Sequence, residues 1–335
     1  MKFAVLSLNP GIDRVLYLNN PMNPGHMNRA CRSVTSQGSK GANVAIMLKR
    51  LGFDVTYYSF TGGLYGSLCE EILNKEGIDC KYRKAACGIR VNTKVIDGNG
   101  VCTELNEKGG PVTKEELEGL LEDFLKDSAE TVFMCGSFPQ GVEKDVYKSL
   151  IRVEKELGHN VILDCDGEAM TQGIVSGPDI IKPNIDELIM LLKSVGMCKD
   201  LPDESGKDTE STEKACGKLA ERFGVGRVIC TLGENGAVEN SLSSSDGEAP
   251  KAGDGIYVPA YKSELLGFSG AGDCFLAGFG AAVYGMGMSD YDALEFASAC
   301  GAAKVRLEGT RLPEKKEIQT IYGDIKNGSQ ERNKR

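Results

Sequence analysis

Short apolar runs alternate with longer segments of helical periodicity along most of the chain. Lys2–Leu8 has the pattern of a buried strand, and apolar residues within Gly41–Leu51 recur every three or four positions, which predicts a helix that ends at Gly52. Further strands are predicted at Asp54–Phe60, Thr131–Cys135, Asn160–Asp164, Ile180–Lys182 and Arg227–Thr231. This order of elements predicts an α/β fold whose mostly parallel sheet is covered on both faces.

Two pairs of segments alternate apolar and polar residues instead. The first pair is Arg14–Asn19 with Arg29–Ser36, and the second is Arg90–Ile96 with Val101–Leu105. The sequence Asp-Gly-Asn-Gly at positions 97–100 joins the second pair and is a typical hairpin turn. Because such strands do not suit a buried parallel sheet, we expect them in a small separate antiparallel sheet.

Composition and charge narrow the class of protein. The net charge of -9 argues against a nucleic-acid-binding protein, since such proteins carry clustered basic surface. The chain has 12 cysteines but no Cys-x-x-Cys pair and only two histidines, His26 and His159, so a structural zinc site is not expected. The cysteines within apolar runs have the pattern of small buried residues, and we expect them to be reduced.

Several segments of the sequence indicate where the protein is located in the cell and which parts of the chain are loops or disordered. The apolar start of the chain is too short for a signal sequence, and no apolar run approaches the ~20 residues that span a bilayer, so we expect a soluble cytoplasmic protein without membrane partners. The polar stretches Lys199–Glu213 and Ser241–Gly255 predict exposed loops. Residues 326–335 contain no apolar side chain, which predicts a disordered tail after one domain at 1–325.

The strongest local motif is Gly270-Ala271-Gly272-Asp273, which leads into a segment with apolar residues at helical spacing. Small residues at the start of a helix let a ligand approach the backbone, and the free N–H groups there attract an anion. A carboxylate at the same position can accept the proton of an attacking hydroxyl group. The alternative is that Asp273 only caps the helix.

A second motif follows the predicted strand Ile180–Lys182. Pro183 cannot continue the strand, so Asn184 is expected at the carboxyl edge of the sheet, with Glu187 on the same side of the following helical turn. An amide oxygen and a carboxylate suit Mg²⁺ bound through water. The alternative is an N-cap with an acidic residue at its third position, a common arrangement without a metal.

Two further glycine-bearing loops lie next to predicted strands or helices. Thr231–Ala237 follows a strand and offers a place for a nucleotide, although in isolation it is a turn. Gly38–Asn43 opens the helix that ends at Gly52. No G-x-x-x-x-G-K-[ST] sequence occurs, which excludes a P-loop enzyme.

Taken in order, these motifs resemble the ribokinase/pfkB family of sugar kinases. The resemblance spans nearly the whole chain, from Ser7–Asp13 to the helix after Asp273. It is strongest at Ser39–Gly52 (SKGANVAIMLKRLG), Gly136–Pro139, Lys182–Glu187 and Gly270–Asp273. The opening Leu-Asn-Pro-x-x-Asp is similar to the phosphosugar branch, which comprises fructose-1-phosphate, fructose-6-phosphate and tagatose-6-phosphate kinases.

The resemblance implies a three-layer ribokinase-like sandwich with a small β-sheet lid, formed by strands within about residues 12–37 and 80–106, that often serves as a dimer interface. It implies ATP and Mg²⁺ as cofactors. Asp273 would be the base, and Gly270, Ala271 and Gly272 would form an anion hole. Asn184 and Glu187 would organise Mg²⁺ and phosphates, and the nucleotide site would be lined by Thr231, Gly233 and Gly236. The residues expected to hold the sugar are Asp13, Lys40, Gly41 and Asn43.

One lid strand carries three polar residues on the same face, Arg90, Asn92 and Lys94. They could hold the phosphate that the substrate already carries, although from spacing alone a solvated lid face is the commoner outcome for Arg90 and Lys94. The Arg-x-Asn-x-Lys pattern resembles 1-phosphofructokinases more than tagatose-6-phosphate kinases, so fructose 1-phosphate is the expected substrate.

Three positions differ from the family pattern. Ser39 stands where the family usually has Gly, Cys135 where Ser often precedes Gly136, and Phe268 where Thr is common. Two alternatives therefore stay open. One is a tagatose-6-phosphate or fructose-6-phosphate kinase, and the other is a weakly active sensor that binds a nucleotide or a sugar.

Overall fold

A computed structural model describes residues 1–243, 250–263, 265–267 and 269–332. Its strands are β1 (Lys2–Ser7), β2 (Gly11–Leu18), β3 (Ala30–Gln37), β4 (Asp54–Thr61), β5 (Asp79–Lys84), β6 (Arg90–Ile96), β7 (Cys102–Asn106), β8 (Thr131–Cys135), β9 (Asn160–Asp164), β10 (Ile180–Ile181), β11 (Arg227–Thr231), β12 (Ala237–Ser243), β13 (Lys251–Ala252) and β14 (Ile256–Val258). Its α-helices are α1 (Lys40–Leu51), α2 (Gly63–Lys75), α3 (Lys114–Phe124), α4 (Val146–Glu156), α5 (Gly167–Gly173), α6 (Ile185–Ser194), α7 (Thr209–Phe223), α8 (Ala271–Gly280), α9 (Asp290–Val305) and α10 (Lys315–Arg332).

The central sheet has the strand order β13-β12-β11-β10-β9-β8-β1-β4-β5, with β14 also paired to β12. Seven neighbouring strands of this sheet run parallel, namely β11, β10, β9, β8, β1, β4 and β5. β12 is antiparallel to β11. Alternate residues of β1 face two different cores: Phe3 and Val5 pack on one side, and Ala4 and Leu6 on the other. Both faces are therefore buried, as the continuous apolar runs predicted.

The second sheet, here called the lid sheet, has the order β3-β2-β6-β7. The predicted strand pairs β2–β3 and β6–β7 are antiparallel, but β2 and β6 are parallel, so the expectation of a purely antiparallel sheet was wrong. The reason is topological. β2 and β6 follow β1 and β5, which run the same way in the central sheet, so both leave the core in one direction. The resulting register places Asp13 opposite Asn92.

Two predicted loops are shorter than expected. α7 begins at Thr209, inside the polar stretch Lys199–Glu213, because the Asp208 carboxylate caps it by accepting from the Ser211 N–H at 3.1 Å. Within Ser241–Gly255, β12 continues to Ser243 and β13 forms at Lys251–Ala252, whereas residues 244–249 lie outside the described residues.

The C-terminal segment also differs from the prediction. α10 continues to Arg332, so the residues from Lys326 onward are helical where a disordered tail was expected, and residues 333–335 lie outside the described part. The Lys326 ammonium lies 2.6 Å from the Glu295 carboxylate and also pairs with Asp292, which ties α10 to α9. Composition missed this helix because its contacts are tertiary. Among the described helices, none combines the length and hydropathy needed to cross a bilayer.

Candidate active site

The candidate site lies at the carboxyl edge of the parallel strands, where β9 ends at Asp164 and β11 at Thr231. The N-terminus of α8 meets the same region, since Gly272 lies beside the Lys182 ammonium that follows β10. Gly270 precedes α8 with φ +89°, a left-handed conformation that favours glycine. The carboxyl edge of an open α/β sheet is the usual ligand position of such folds.

Asp273 lies in the first turn of α8 and is only 7% exposed. The Asn43 side-chain amide donates to Asp273 Oδ2 at 2.7 Å, which fixes the direction of the carboxylate. Burial, with the negative charge of Asp164 as a second cause, raises the pKa of Asp273 to about 6. Such a group is ionised at neutral pH and basic enough to take up a proton.

The lid contributes a group of three side chains, here called the lid cluster: Asp13, Asn92 and Lys94. Asp13 Oδ1 accepts from the Asn92 amide at 3.0 Å, and Asp13 Oδ2 lies 2.9 Å from the Lys94 ammonium. All three residues are less than a tenth exposed. Gly38 has to be glycine here, because a Cβ atom would collide with the Asp13 carboxylate. Every charge of the lid cluster is therefore paired inside the protein.

The lid cluster is connected to Asp273 along two routes that combine hydrogen bonds with short stretches of backbone. Lys94 donates to the Ser269 hydroxyl, in the loop that leads into α8. Asn92 donates to the Gly38 carbonyl at 3.2 Å, and the neighbouring Gln37 donates to the Asn43 side chain that holds Asp273. The lid and the first turn of α8 thus form one polar network.

A second group, here called the sheet-edge cluster, consists of Lys40, Asp164 and Glu187. The Lys40 ammonium lies 3.3 Å from Asp164 Oδ1 and 3.9 Å from Glu187 Oε1. Burial disfavours the charge of Lys40, but the surrounding carboxylates, led by Asp164, outweigh it and raise the pKa of Lys40. Asp164 Oδ2 is buried and has no hydrogen-bond partner among the described residues. The open atom here belongs to a carboxylate, whereas the lid cluster's open atom among the described residues is the neutral amide oxygen of Asn92.

Asn184 and Glu187 form the capping arrangement that was the alternative to a metal site. Asn184 Oδ1 accepts from the Glu187 N–H at 2.8 Å, and Glu187 Oε2 accepts from the Asn184 N–H at 2.9 Å. This capping leaves Glu187 Oε1 directed toward Lys40. Within the described part of the chain, no three His, Cys, Asp or Glu side chains converge as metal ligands. A metal here would rely on ligand phosphates and water, for which Glu187 Oε1 and Asp164 Oδ2 supply suitable acceptors.

The loop after β11 lies beside Asn184, because Asn184 and Thr231 form an isolated parallel bridge and the Thr231 N–H donates to the Pro183 carbonyl at 3.1 Å. Gly233 and Gly236 both have positive φ, +59° and +99°. A Cβ atom on Gly236 would collide with the Val258 carbonyl, so this glycine is required by packing. Gly41 is likewise a packing glycine, since a Cβ atom would lie 2.7 Å from Ser7 Cβ.

Arg90 stands apart from the lid cluster although it shares the face of β6 with Asn92 and Lys94. Its Nη1 donates to the Glu107 carbonyl at 3.2 Å, while its Nε is buried without a partner among the described residues. Burial lowers the pKa of Arg90, against the opposing effects of Asp13, Asp166 and Glu107. The structure therefore separates Arg90, which has an unpaired N–H, from Lys94, whose charge is paired.

Sequence reasoning missed Asp164 and Lys182 as site residues. Lys182 is 5% exposed, has no hydrogen-bond or ion-pair partner among the described residues, and lies close enough to Gly272 that a Cβ there would be 3.2 Å from its Nζ. A signal was present: both are charged residues that directly end an apolar strand run, the same feature that drew attention to Asn184. A charged residue at the end of each apolar strand run therefore identifies both Asp164 and Lys182.

The three positions that differ from the family pattern have different structural roles or lie outside the described residues. Ser39 caps α1, since its hydroxyl accepts from the Ala42 N–H at 3.2 Å and lies 3.3 Å from the Tyr57 hydroxyl. The Ser39 side chain therefore caps the helix. Cys135 is fully buried at the end of β8 and contributes to the core. Phe268 lies outside the described residues.

Comparison with known proteins identifies the class. The sequence profile of the pfkB family carbohydrate kinases matches residues 8–317, so the chain belongs to this family and is a carbohydrate kinase. It is 28% identical over 315 residues to a 1-phosphofructokinase of Haloferax volcanii, with 93% of each chain covered. It is 36% identical over 191 residues to a tagatose-6-phosphate kinase of Staphylococcus epidermidis, covering 56% of this chain and 61% of that protein.

The solved structures agree on the fold. The phosphofructokinase-2 of Escherichia coli, determined in complex with substrates and products, superposes with a TM-score of 0.84 at 24% identity, covering 96% of this chain and 99% of the other. The expected ribokinase-like three-layer fold with a second small sheet is thereby confirmed.

Proposed function

We propose that this kinase transfers a phosphoryl group from ATP to a ketose phosphate, with fructose 1-phosphate as the preferred acceptor and fructose 1,6-bisphosphate as the product. The observation that carries the proposal is the placement of Asp273: buried, held by Asn43, and linked through hydrogen bonds to a lid that presents Asp13 and Asn92. The full-length relatives named 1-phosphofructokinase support this acceptor.

In the proposed reaction, the free hydroxyl oxygen of the sugar attacks the terminal phosphorus of ATP, the bond from that phosphorus to ADP breaks, and Asp273 accepts the hydroxyl proton. A carboxylate with a raised pKa is suited to this task because its ionised form persists at neutral pH while its affinity for a proton is increased. The free N–H groups around Gly270, Ala271 and Gly272 would stabilise the negative charge that spreads over the transferred group.

The sheet-edge cluster would handle the phosphates of ATP. Lys40 and Lys182 supply positive charge next to α8, and Glu187 and Asp164 supply the acceptors for water around Mg²⁺. Mg²⁺, when bound, neutralises phosphate charge. The loop with Thr231, Gly233 and Gly236, next to Asn184, would hold the nucleotide.

The lid cluster would bind the hydroxyl groups of the sugar, with Asp13 as acceptor and Asn92 as donor, and Asn43 would contact the sugar near Asp273. Arg90 has an N–H without a partner, which supports a role in holding the phosphate already present on the substrate. Lys94, already paired with Asp13, would mainly orient that carboxylate and add positive charge nearby.

Among the described residues, the lid sheet ends at the edge strands β3 and β7, and large apolar side chains are exposed at Leu105 in β7 and at Val101, directly before it. Exposed strand edges favour pairing with another chain unless they are covered. We therefore include a homodimer through the lid in the proposal. Light scattering at micromolar concentration should report two chains per particle, and a monomer with and without substrate would contradict it.

The test of the function is ADP release with ATP and Mg²⁺ across fructose 1-phosphate, fructose 6-phosphate, tagatose 6-phosphate and fructose. The highest kcat/KM is expected with fructose 1-phosphate. The second candidate is a tagatose-6-phosphate kinase, favoured by the identity of 36% to such an enzyme over part of the chain, and a preference for that sugar would establish it. Thermal stabilisation by these ligands without turnover would support a sensor instead.

A further inference from the structure

Asn9 lies shortly after β1, within the opening Leu-Asn-Pro-x-x-Asp motif, and has no part in the reaction proposed above. Its side chain is only 5% exposed. The Asn9 amide donates to the Ser137 hydroxyl at 3.0 Å, to the Lys108 carbonyl at 3.2 Å and to the Phe138 carbonyl at 3.3 Å. An amide group has two N–H hydrogens, so these three acceptors use its whole donor capacity. Asn9 therefore joins three separate parts of the chain.

One of these parts, the segment after β7, also supports Arg90. The Arg90 Nη1 donates to the Glu107 carbonyl at 3.2 Å, and the Glu107 carboxylate accepts from the Val91 N–H at 2.9 Å. Glu107 directly precedes Lys108, whose carbonyl accepts from Asn9. The guanidinium that is proposed to hold the substrate phosphate thus rests on a segment that Asn9 holds at the next residue.

The space between Asn9 and Arg90 is small. A cavity of about 10 Å³, the space of roughly one water molecule, is lined by both residues and by Gly109. A Cβ atom on Gly109 would lie 2.4 Å from Asn9 Oδ1, so close packing requires glycine there. A phosphate group does not fit into this cavity. The substrate phosphate would therefore reach Arg90 from outside it, and Asn9 would act only through the segments that it holds.

The other segment that Asn9 holds is the loop Gly136–Pro139 after β8, a motif that also has no part in the reaction proposed above. The N–H of its first residue donates to the Asp164 carbonyl at 2.8 Å, which joins the loop to the sheet-edge cluster. The Ser137 hydroxyl accepts from Asn9 and has no other hydrogen-bond partner among the described residues. Because this hydroxyl accepts from Asn9, its own hydrogen is left free to be donated.

We propose that Asn9 is a positioning residue for the phosphate that the substrate already carries. Its amide occupies the carbonyl oxygens of Lys108 and Phe138, whose partial negative charge would otherwise be free to face an anion, and it orients the Ser137 hydroxyl as a donor. Asn9 thereby favours a phosphorylated sugar over a neutral one without touching either. The inference rests on the proposed function, since it concerns the same substrate.

The first experiment exchanges the donor for an acceptor of the same size. Asn9→Asp should raise KM for fructose 1-phosphate by roughly 10–100-fold, because a carboxylate cannot donate to the carbonyl oxygens and adds negative charge near the phosphate. By contrast, kcat with fructose 1-phosphate and KM for ATP should change by less than about threefold. For fructose, which has no phosphate, kcat/KM should also fall by less than about threefold, whereas a merely structural role would reduce activity with both sugars alike.

Asn160→Asp is the matched control. The Asn160 amide also donates to a backbone carbonyl and a hydroxyl group, those of Glu130 at 3.3 Å and Thr131 at 3.2 Å, but it lies at the start of β9, opposite the carboxyl edge of the sheet. This variant should keep the wild-type KM for both substrates. Asn9→Ala removes the donor without adding a charge, so its KM for fructose 1-phosphate should lie between those of the wild type and Asn9→Asp.

Calorimetric binding of fructose 1-phosphate without ATP separates the two proposals. If the wild type binds this sugar phosphate but transfers no phosphoryl group, the kinase function fails, and a weaker Kd in Asn9→Asp than in Asn160→Asp still supports the role of Asn9. An equal fractional loss of kcat/KM with fructose and its phosphate would overturn that role, as would an unchanged KM in Asn9→Asp. A wild type that binds no sugar phosphate would overturn both proposals. If Asn9→Asp does not fold, the same measurements on Asn9→Ala decide.

Discussion

The lid cluster and the sheet-edge cluster contain similar side chains but differ in how completely they are paired. In the lid cluster, both oxygens of Asp13 are satisfied by Asn92 and Lys94. In the sheet-edge cluster, Asp164 keeps one buried oxygen without a partner, and the nearby Lys182 ammonium has no partner among the described residues. Asp164 and Lys182 are themselves buried, although Lys40 and Glu187 are partly exposed, so contact with solvent does not explain why these two groups lack partners.

The contrast indicates that the two clusters have different tasks. The charges of the lid cluster are paired, which preorganises Asp13 and Lys94, and its one buried atom without a partner among the described residues is the neutral amide oxygen of Asn92, so this cluster suits the neutral hydroxyl groups of a sugar. Buried charged atoms without partners cost free energy, and they are retained where a charged ligand completes them. The sheet-edge cluster therefore fits phosphates and their cation, and Asp273 lies between the two regions.

The largest effect is expected from removing the Asp273 carboxylate, which lies between the two clusters. Asp273→Asn should lower kcat by roughly 10²–10⁴, the usual contribution of a general base, while Asn43 can still hold the side-chain oxygen. The melting temperature and ATP binding should be nearly unchanged. Steady-state kinetics and calorimetry test this, and a variant with most of the wild-type turnover would show that Asp273 is not the base.

The pH profile gives an independent check on the same residue. Because the pKa of Asp273 is raised to about 6, the base becomes protonated as the pH falls through that value. The kcat/KM of the wild type should therefore fall below about pH 6 and level off above pH 7, and this limb should be absent from the residual rate of Asp273→Asn. A flat wild-type profile between pH 5 and 8 would contradict the assignment.

The next largest effects are expected from substituting Arg90 and Lys94, two residues that sequence spacing alone does not distinguish. Losing one charged hydrogen-bond partner costs about 1.5–3 kcal/mol, or roughly 10–150-fold in binding. Arg90→Ala should raise KM for fructose 1-phosphate by this factor and spare KM for ATP. Lys94→Ala should raise the same KM and also lower kcat, because Asp13 loses its cation and Ser269 its donor.

Free fructose is the control substrate for this comparison, since it lacks the phosphate. Arg90→Ala should reduce the preference for fructose 1-phosphate over fructose, measured as a ratio of kcat/KM values. An equal fractional loss with both substrates would mean that Arg90 shapes the lid and does not bind the phosphate.

A smaller effect is expected at the capping carboxylate. Glu187→Gln retains an oxygen that can accept from the Asn184 N–H, so α6 should stay capped, but the charge near Lys40 is lost. The Mg²⁺ concentration for half-maximal rate should rise by about tenfold, with little change in KM for the sugar. An unchanged Mg²⁺ titration would leave Glu187 with the capping role alone.

The smallest effect on activity is expected at an unpaired carboxylate that lies away from both clusters. Glu239, in β12, is fully buried and both its oxygens lack partners among the described residues; burial raises its pKa from 4.5 to about 7. Between these values the unfolded chain loses the proton while the folded chain keeps it, so the stability contributed by the neutral form is lost as the pH rises. The free energy of unfolding of Glu239→Gln should therefore exceed that of the wild type at pH 8, by no more than about 3 kcal/mol. The difference should be smaller at pH 5.

Activity distinguishes Glu239 from the sheet-edge cluster. If unpaired buried charges mark ligand positions only at the carboxyl edge of the sheet, Glu239→Gln should keep wild-type kcat and KM for both substrates. A large loss of activity would show that β12 also takes part in the site and would weaken the contrast between the two clusters.

The periodicity of the chain determined the central sheet and most of its helices, because strands buried on both faces and amphipathic helices leave a local record. The capping box of Thr113 and Glu116 at the start of α3 is equally local, since both residues belong to the first turn of one helix. The sequence also placed Gly270–Asp273 at the start of a helix, since small residues followed by an apolar helical period specify that position.

Only the tertiary structure decided which charges are paired. Arg90 and Lys94 are equivalent by spacing, but the parallel register of β2 and β6 puts Asp13 within reach of Lys94 and leaves an N–H of Arg90 without a partner. Asp164 pairs with Lys40, which lies 124 residues away in the chain. Such pairings depend on distances between separate elements, which local sequence patterns do not encode.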